Sequence, residues 1–221
     1  MDRKITAMRV QKRNPNRVNI FLDGEFAFGV SRIVAAWLNV GQGITDEKIL
    51  EIQQDEANEA AFQNALKVIS YRPRSIQEVQ KKLQENGFDK TVIDLVIRRL
   101  TENGLLGDQE FAQAWIENRT VFRPRSQRLM ALELRQKGVS DEVVQDALAN
   151  TLDDETLAYQ SAIQYARRLK GLEWQEFRKK LGAFLMRRGF TFEIVGPLLR
   201  QVWEESSQDA GDALQLETED D

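Results

Sequence analysis

Two identical four-residue segments carry the side chains with the clearest potential for binding chemistry. Arg72-Pro-Arg-Ser75 recurs 51 residues later as Arg123-Pro-Arg-Ser126. Proline fixes the approach to a helix and serine caps its first turn, so both have structural uses. The arginines have no such use, since a cation near a helix N-terminus costs a few tenths to about 1 kcal/mol. The pattern is compatible with phosphate or carboxylate binding or with a solvated turn; the candidates are Arg72, Arg74, Arg123 and Arg125.

Adjacent basic residues near predicted helix ends are a second set of candidates. We add Arg187 and Arg188 to the candidate anion-binding residues. Similar pairs occur at Arg98-Arg99, Arg167-Arg168 and Lys179-Lys180. Because cations are favourable near helix C-termini, placement there explains several of these pairs, and the others are expected on exposed helix faces, so a structural role competes with binding at each pair.

The chain contains neither histidine nor cysteine. This excludes Ser-His-Asp and Cys-His catalytic pairs, disulfides and Cys/His zinc sites. Its glycines form no phosphate-binding motif, and we interpret Gly41-Gln42-Gly43 as a loop. Acidic pairs such as Asp153-Asp154 are interpreted as helix caps. The sequence therefore predicts a binding protein rather than an enzyme, without a cofactor or a metal site.

Glycines at equal spacing indicate the elements that must position these residues. Gly87, Gly138 and Gly189 lie 51 residues apart, each after an amphipathic segment. Such a glycine adopts a positive φ and ends a helix at low cost. We therefore predict three three-helix repeats, over 56–107, 108–153 and 154–205. The predicted helices are 56–71, 75–86 and 90–103, then 108–121, 126–137 and 140–150, then 154–169, 174–188 and 191–204. Four tryptophans are expected in the core: Trp37, Trp115, Trp174 and Trp203.

Residues 1–55 are predicted to form a small β-hairpin or sheet covered by helices. Asp23-Gly24 between two apolar runs is typical of a type I′ turn. This turn would pair Phe21 with Phe26, and Ile20 with Ala27. Residues 12–17 around Pro15 are expected to form a loop. The covering helices are expected over 31–39 and from 45 to 54.

Charge is distributed unevenly along the 221 residues. The segment Glu204–Asp221 contains eight acidic and no basic residues, which leaves 31 basic and 27 acidic residues in 1–203. We expect residues 206–221 to be a disordered acidic tail beside a mildly basic body. No apolar run reaches the length of a membrane span and no secretory signal is recognisable, so a cytoplasmic protein is expected.

Three segments together resemble the RecX family, bacterial regulators of the recombinase RecA. They are Arg72-Pro-Arg-Ser75 with Leu83 and Gly87, then Leu105-Leu-Gly-Asp-Gln-Glu-Phe-Ala112, and Glu133-Leu-Arg-Gln-Lys-Gly-Val139. The resemblance covers about residues 56–204, and Leu22-Asp-Gly-Glu25 is similar to the N-terminal segment of longer family members. The third repeat is more divergent, and the acidic tail lies outside the pattern.

The resemblance implies an elongated, curved array of three-helix repeats that binds in the groove of the RecA–DNA filament. It implies inhibition of filament growth, ATP hydrolysis and strand exchange, with RecA and the filament's single-stranded DNA as partners. Weak direct DNA binding is compatible with the basic body. Two alternatives stay open, a helical regulator that binds DNA directly and a repeat scaffold without nucleic acid.

Overall fold

The computed structural model describes the backbone of residues 3–216 and the side chains of residues 3–206. The chain forms two compact units that divide after Gly107. Unit 1 contains β1 (Arg3–Gln11), β2 (Asn14–Leu22), β3 (Glu25–Ser31), α1 (Arg32–Ala35), β4 (Gly43–Ile44), α2 (Asp46–Tyr71), α3 (Ile76–Glu85) and α4 (Lys90–Glu102). Unit 2 contains α5 (Asp108–Phe122), α6 (Gln127–Gln136), α7 (Asp141–Leu148), α8 (Asp154–Ala166), α9 (Trp174–Arg187) and α10 (Phe192–Leu216). The predicted mainly helical class with an N-terminal sheet is confirmed.

The strands of unit 1 form one antiparallel sheet in the order β3-β2-β1-β4. Asp23 and Gly24 have φ angles of 50° and 91°, which confirms the type I′ turn. Phe21 pairs with Phe26 as predicted, but a register shift between Ile20 and Phe21 pairs Ile20 with Phe28 instead of Ala27. The extra residue of a β-bulge causes this difference, and the hairpin pattern alone does not indicate it.

The predicted loop over 12–17 is wrong, because β2 already begins at Asn14. Only Lys12 and Arg13 separate the first two strands. Pro15 is the second residue of β2, near a strand end, where the missing N–H of a proline is tolerated. The small strand β4, which pairs with the start of β1, was not predicted.

The helical cover of the sheet differs from the prediction in length. Helix α1 has four residues, and the Ser31 hydroxyl accepts a hydrogen bond from the N–H of Val34 at its start. Leu38 is buried after this helix, whereas Trp37 is 83% exposed and does not belong to the core. Val34 in α1 and Leu38 after it therefore pack against the core of the sheet, and Trp37 is left in solvent.

The predicted helices 45–54 and 56–71 form one continuous helix, α2, capped by the Thr45 hydroxyl. No glycine or proline interrupts the segment, so nothing in its chemistry ends the helix near residue 55. Glu56 lies in its middle and accepts a hydrogen bond from the N–H of Ser31, 2.5 Å away. It also pairs with Arg17 at 2.8 Å, which ties α2 to the sheet.

The repeats build their cores from the same kind of positions. Gly87, Gly138 and Gly189 have φ angles of 86°, 81° and 89° directly after helix ends, as predicted. In unit 1 the helices of the first repeat surround Leu83 and Leu100. In unit 2 the second and third repeats share one core. Partly buried Trp115, Trp174 and Trp203 pack against that core, as expected.

The last helix is longer than predicted. Helix α10 runs to Leu216, whereas the sequence predicted an end at 204 and disorder from 206. Residues 206–216 include alanine, leucine and glutamine, which favour a helix, so acidic composition alone does not determine their backbone. Residues 217–221 of the predicted tail lie outside the described residues.

Candidate functional site

Both Arg-Pro-Arg-Ser segments form the entry to a helix, as their sequence predicts. The buried hydroxyl of Ser75 accepts a hydrogen bond from the N–H of Glu78 at 3.2 Å. In the second repeat the buried hydroxyl of Ser126 accepts one from the N–H of Leu129 at 3.2 Å. The same local sequence therefore produces the same N-cap in α3 and α6.

In unit 1 a carboxylate pairs with the first arginine of the segment. The guanidinium of Arg72 donates to both carboxylate oxygens of Glu78, at 3.1 and 3.2 Å. Arg74 is half-buried, and its Nε has no hydrogen-bond partner among the described residues. The turn in unit 1 thus presents one neutralised arginine and one arginine that is partly enclosed.

In unit 2 four arginines lie together, and we call Arg119, Arg123, Arg125 and Arg188 the arginine cluster. Arg119 and Arg125 both pair with Glu133, and the Nε of Arg119 lies 3.1 Å from its Oε2. Arg188 comes from the end of α9, and its Nη1 donates to the carbonyl oxygen of Pro124 at 2.9 Å. Its own carbonyl oxygen accepts a hydrogen bond from the N–H of Ser126 at 3.0 Å. The third repeat thus completes a site begun by the second.

Mutual repulsion marks this cluster as a region of positive potential. Burial lowers the pKa of Arg125, and the positive charges of Arg119 and Arg123 lower it further. Burial also lowers the pKa of Arg188, with further effects from Arg125 and Arg123. Arginine stays charged at neutral pH despite such shifts, and Glu133 offsets only one of the four positive charges, so the cluster keeps a net positive charge.

Glu133 organises the base of the cluster. Its side chain is 13% exposed, and its Oε2 also accepts a hydrogen bond from the indole N–H of Trp115 at 2.9 Å. The guanidinium of Arg119 lies 4.0 Å from the centre of the Trp115 ring. These contacts hold Arg119 and Arg125 in place, whereas Arg123 is exposed. Two guanidinium groups share one carboxylate and two further arginines lie near them, so the cluster is suited to bind a phosphate or a second carboxylate.

The structure brings together only part of the predicted set. Arg123, Arg125 and Arg188 belong to the cluster, whereas Arg72 and Arg74 lie in unit 1. Arg187 is exposed in the last turn of α9 and forms no ion pair within the part of the chain that the structure describes. The prediction missed Arg119, although its position four residues before Arg123 was a usable signal for proximity.

Two other kinds of site find no support in the described residues. Within residues 3–216, no helix combines the length and apolar character needed to cross a membrane. Acidic side chains in the described part of the chain do not gather into a group of three that could hold a metal ion. The arginine cluster is therefore the candidate functional site.

The fold and this site define a helical-repeat protein with a cluster of arginines on unit 2. Four family models match successive parts of the chain. The regulatory protein RecX N-terminal domain matches residues 3–45, and the first, second and third RecX three-helix domains match residues 61–100, 108–148 and 153–197. Together these models follow the order of the sheet and the three repeats.

Proteins named as regulatory protein RecX are similar to this chain over most of their length. Regulatory protein RecX from Bacillus subtilis (strain 168) is 33% identical, covering 97% of this chain and 83% of the relative. Regulatory protein RecX from Clostridium perfringens (strain 13 / Type A) is 31% identical, and the match covers 90% of this chain and 96% of the relative. A crystal structure of regulatory protein RecX has the same fold, with a TM-score of 0.68 and 24% sequence identity. The match covers 89% of this chain and 98% of the chain in that structure. The chain belongs to the RecX family of regulatory proteins.

Proposed function

We propose that this protein regulates the recombinase RecA by binding along the RecA–DNA filament in the cytoplasm. Binding slows filament growth, ATP hydrolysis and strand exchange, which limits homologous recombination during DNA repair and the SOS response. The protein acts by occupying a surface and not by catalysis. The observation that carries the proposal is the arginine cluster, together with membership of the RecX family.

The cluster has the chemistry that a nucleoprotein filament requires. Such a filament offers phosphate groups, and each phosphate can accept two hydrogen bonds from one guanidinium. Arg125 and Arg188 are held by Glu133 and by the carbonyl oxygen of Pro124, so little side-chain entropy is lost on binding. Exposed Arg123 is free to complete the contact, and its repulsion with the other arginines is relieved when an anion binds.

The test is inhibition of RecA's DNA-dependent ATP hydrolysis by the full chain. We expect the wild-type protein to inhibit, and Arg123→Glu to require about tenfold more protein, equivalent to about 1.4 kcal/mol. Arg123 is preferable to Arg125 because reversing Arg125 would place a second carboxylate beside Glu133. Arg178→Glu is the matched control, since Arg178 is exposed on α9 and the charge change is the same.

The possible outcomes separate the site from the function. If Arg123→Glu and Arg178→Glu inhibit as well as the wild type, the cluster does not contact the filament. If the wild-type protein has no effect on RecA from its own organism at any salt concentration, RecA regulation is wrong. Tight binding to free DNA without any effect on RecA would then favour the direct DNA-binding regulator.

A further inference from the structure

An exposed aromatic ring comes directly before each Arg-Pro-Arg-Ser turn. Phe122 is the last residue of α5 and is 70% exposed, and Tyr71 is the last residue of α2 and is 74% exposed. Large aromatic side chains stabilise a protein mainly when they are buried, as Phe177 is in unit 2. Rings this exposed contribute little to folding, yet they occupy the same position in two repeats.

The third repeat supplies an internal comparison. Fifty-one residues after Phe122 lies Glu173, which is the N-cap residue of α9, and Trp174 follows it in place of an arginine. Trp174 packs against the core, 5.6 Å from Trp203 between ring centres. The exposed ring and the Arg-Pro-Arg-Ser turn therefore occur together in two repeats. In the third repeat, α8 ends at Ala166, and neither the ring nor this turn is present.

We propose that Phe122 stacks on an unpaired base of single-stranded nucleic acid while the arginine cluster holds a neighbouring phosphate. This inference rests on the proposed function and adds to it the ligand that the cluster takes. Aromatic side chains beside a cationic groove are the usual means of binding single strands without sequence preference. Every base has a π-face, so one exposed ring suffices for any sequence.

The surroundings of the cluster favour nucleic acid over an acidic protein segment. An acidic protein segment would bind through contacts between its carboxylates and the arginines. An exposed aromatic ring beside them would add little to its affinity. Phe122 directly precedes Arg123, the exposed member of the cluster. A nucleotide presents a flat apolar base a few ångströms from its phosphate, which matches an exposed ring followed at once by guanidinium groups.

Unit 1 offers a weaker version of the same site. Tyr71 is as exposed as Phe122, but the following Arg72 already donates two hydrogen bonds to Glu78. A phosphate there would have to compete with that carboxylate. We therefore place the principal stacking residue in unit 2.

The experiment measures binding of the full chain to a labelled oligothymidylate of about 20 nucleotides by fluorescence anisotropy at low salt. An abasic strand of the same length is measured in parallel. We expect Phe122→Ala to weaken oligothymidylate binding about fivefold or more and to leave the abasic strand unaffected, because stacking is lost and phosphate contacts stay. Phe122→Trp should restore binding, and Tyr71→Ala should cause a smaller loss.

Val121→Ala is the matched control, because it removes an exposed apolar side chain next to Phe122. An equal loss in Val121→Ala and Phe122→Ala would overturn the inference, as would equal binding of oligothymidylate and the abasic strand. The inference would also be wrong if the wild type failed to bind oligothymidylate. The same holds if polyglutamate displaced the DNA as readily as the abasic strand does.

RecA-dependent ATP hydrolysis, measured with the same variants, separates this inference from the proposed function. If the wild type inhibits RecA and Phe122→Ala binds oligothymidylate normally, the inference that Phe122 stacks on a base is wrong and the proposed regulation of RecA stands. If the wild type does not affect RecA but Phe122→Ala loses DNA binding, base stacking by Phe122 stands and the proposed regulation of RecA is wrong.

Discussion

The two Arg-Pro-Arg-Ser turns have the same sequence and the same N-cap but different electrostatic surroundings. In unit 1, Arg72 is paired with Glu78, whose counterpart 51 residues later is Leu129. In unit 2, Arg125 is paired with Glu133, whose counterpart 51 residues earlier is Lys82. The repeated motif therefore fixes the backbone, whereas residues on the following helix decide which arginine stays available for a ligand.

The two carboxylates also differ in energetic role. Glu78 pairs with an arginine whose side chain is 44% exposed, and such surface pairs contribute about 0–1 kcal/mol. Glu133 is nearly enclosed and accepts hydrogen bonds from Trp115 and Arg119 in addition to its pair with Arg125. Removing its charge would leave two partly buried guanidinium groups uncompensated, which is costly. A similar sequence thus supports a minor surface contact in one unit and a structural centre in the other.

The largest expected effect concerns the glycine that packs on the turn of unit 2. A Cβ on Gly189 would lie 2.5 Å from the Ser126 hydroxyl and 2.8 Å from the Leu129 Cβ, and its φ is 89°. We expect Gly189→Ala to lower the free energy of unfolding by about 3 kcal/mol, through overpacking and backbone strain. Gly87→Ala is the control: its φ is 86° but a Cβ would meet nothing within 4 Å, so about 1 kcal/mol is expected. Urea denaturation measures both, and equal losses would mean that the end of α9 does not pack tightly on the turn.

The second prediction compares the two carboxylates directly. Glu133→Gln should destabilise the protein by about 2 kcal/mol, because Arg119 and Arg125 lose their shared counter-charge. Glu78→Gln should cost less than about 1 kcal/mol, since Arg72 is largely exposed. Urea denaturation of both variants provides the measurement. A Glu133→Gln variant as stable as Glu78→Gln would remove the energetic distinction between the units.

The third prediction makes unit 1 resemble unit 2. Glu78→Gln releases Arg72, and we expect oligothymidylate binding at low salt to tighten by about two- to threefold as one further arginine can contact phosphate. Glu85→Gln is the matched control, because it removes the same charge from an exposed pair with Lys82 on the same helix. Equal tightening in both variants would indicate a general effect of net charge and not a contribution of the turn.

The smallest expected effect concerns the acidic C-terminal residues. Truncation after Ser206 removes six acidic residues and keeps Glu205, which accepts a hydrogen bond from Tyr159 at 3.0 Å. We expect DNA binding to tighten by up to about twofold at low salt, with the gain disappearing at high salt as screening increases. Anisotropy over a salt series is the measurement, and identical curves for both proteins would exclude competition between these residues and DNA.

Local patterns were sufficient for much of the fold. The turn at Asp23-Gly24 and the helix ends at Gly87 and Gly189 depend on φ angles that few residues other than glycine adopt readily. The caps at Ser75 and Ser126 depend on hydroxyl groups within three residues of their partners. Such features involve only neighbours in the chain, so their residue types and spacing predict them. The bulge at Ile20 and the exposure of Trp37 depend on contacts between distant segments, and both predictions there were wrong.

The sequence by itself determined which arginines are candidates, because the repeat places Arg123 and Arg125 in a turn that does not need them. The tertiary structure alone decided their partners. Arg188 reaches the turn because α9 ends against Ser126, 62 residues away in the chain, and Glu133 approaches Arg119 only when α5 and α6 pack together. Electrostatic interactions depend on distance in space, and a linear pattern specifies that distance only within a helix or a turn. The arginine cluster is therefore encoded in the sequence as separate charges and forms only through packing of the second repeat against the third.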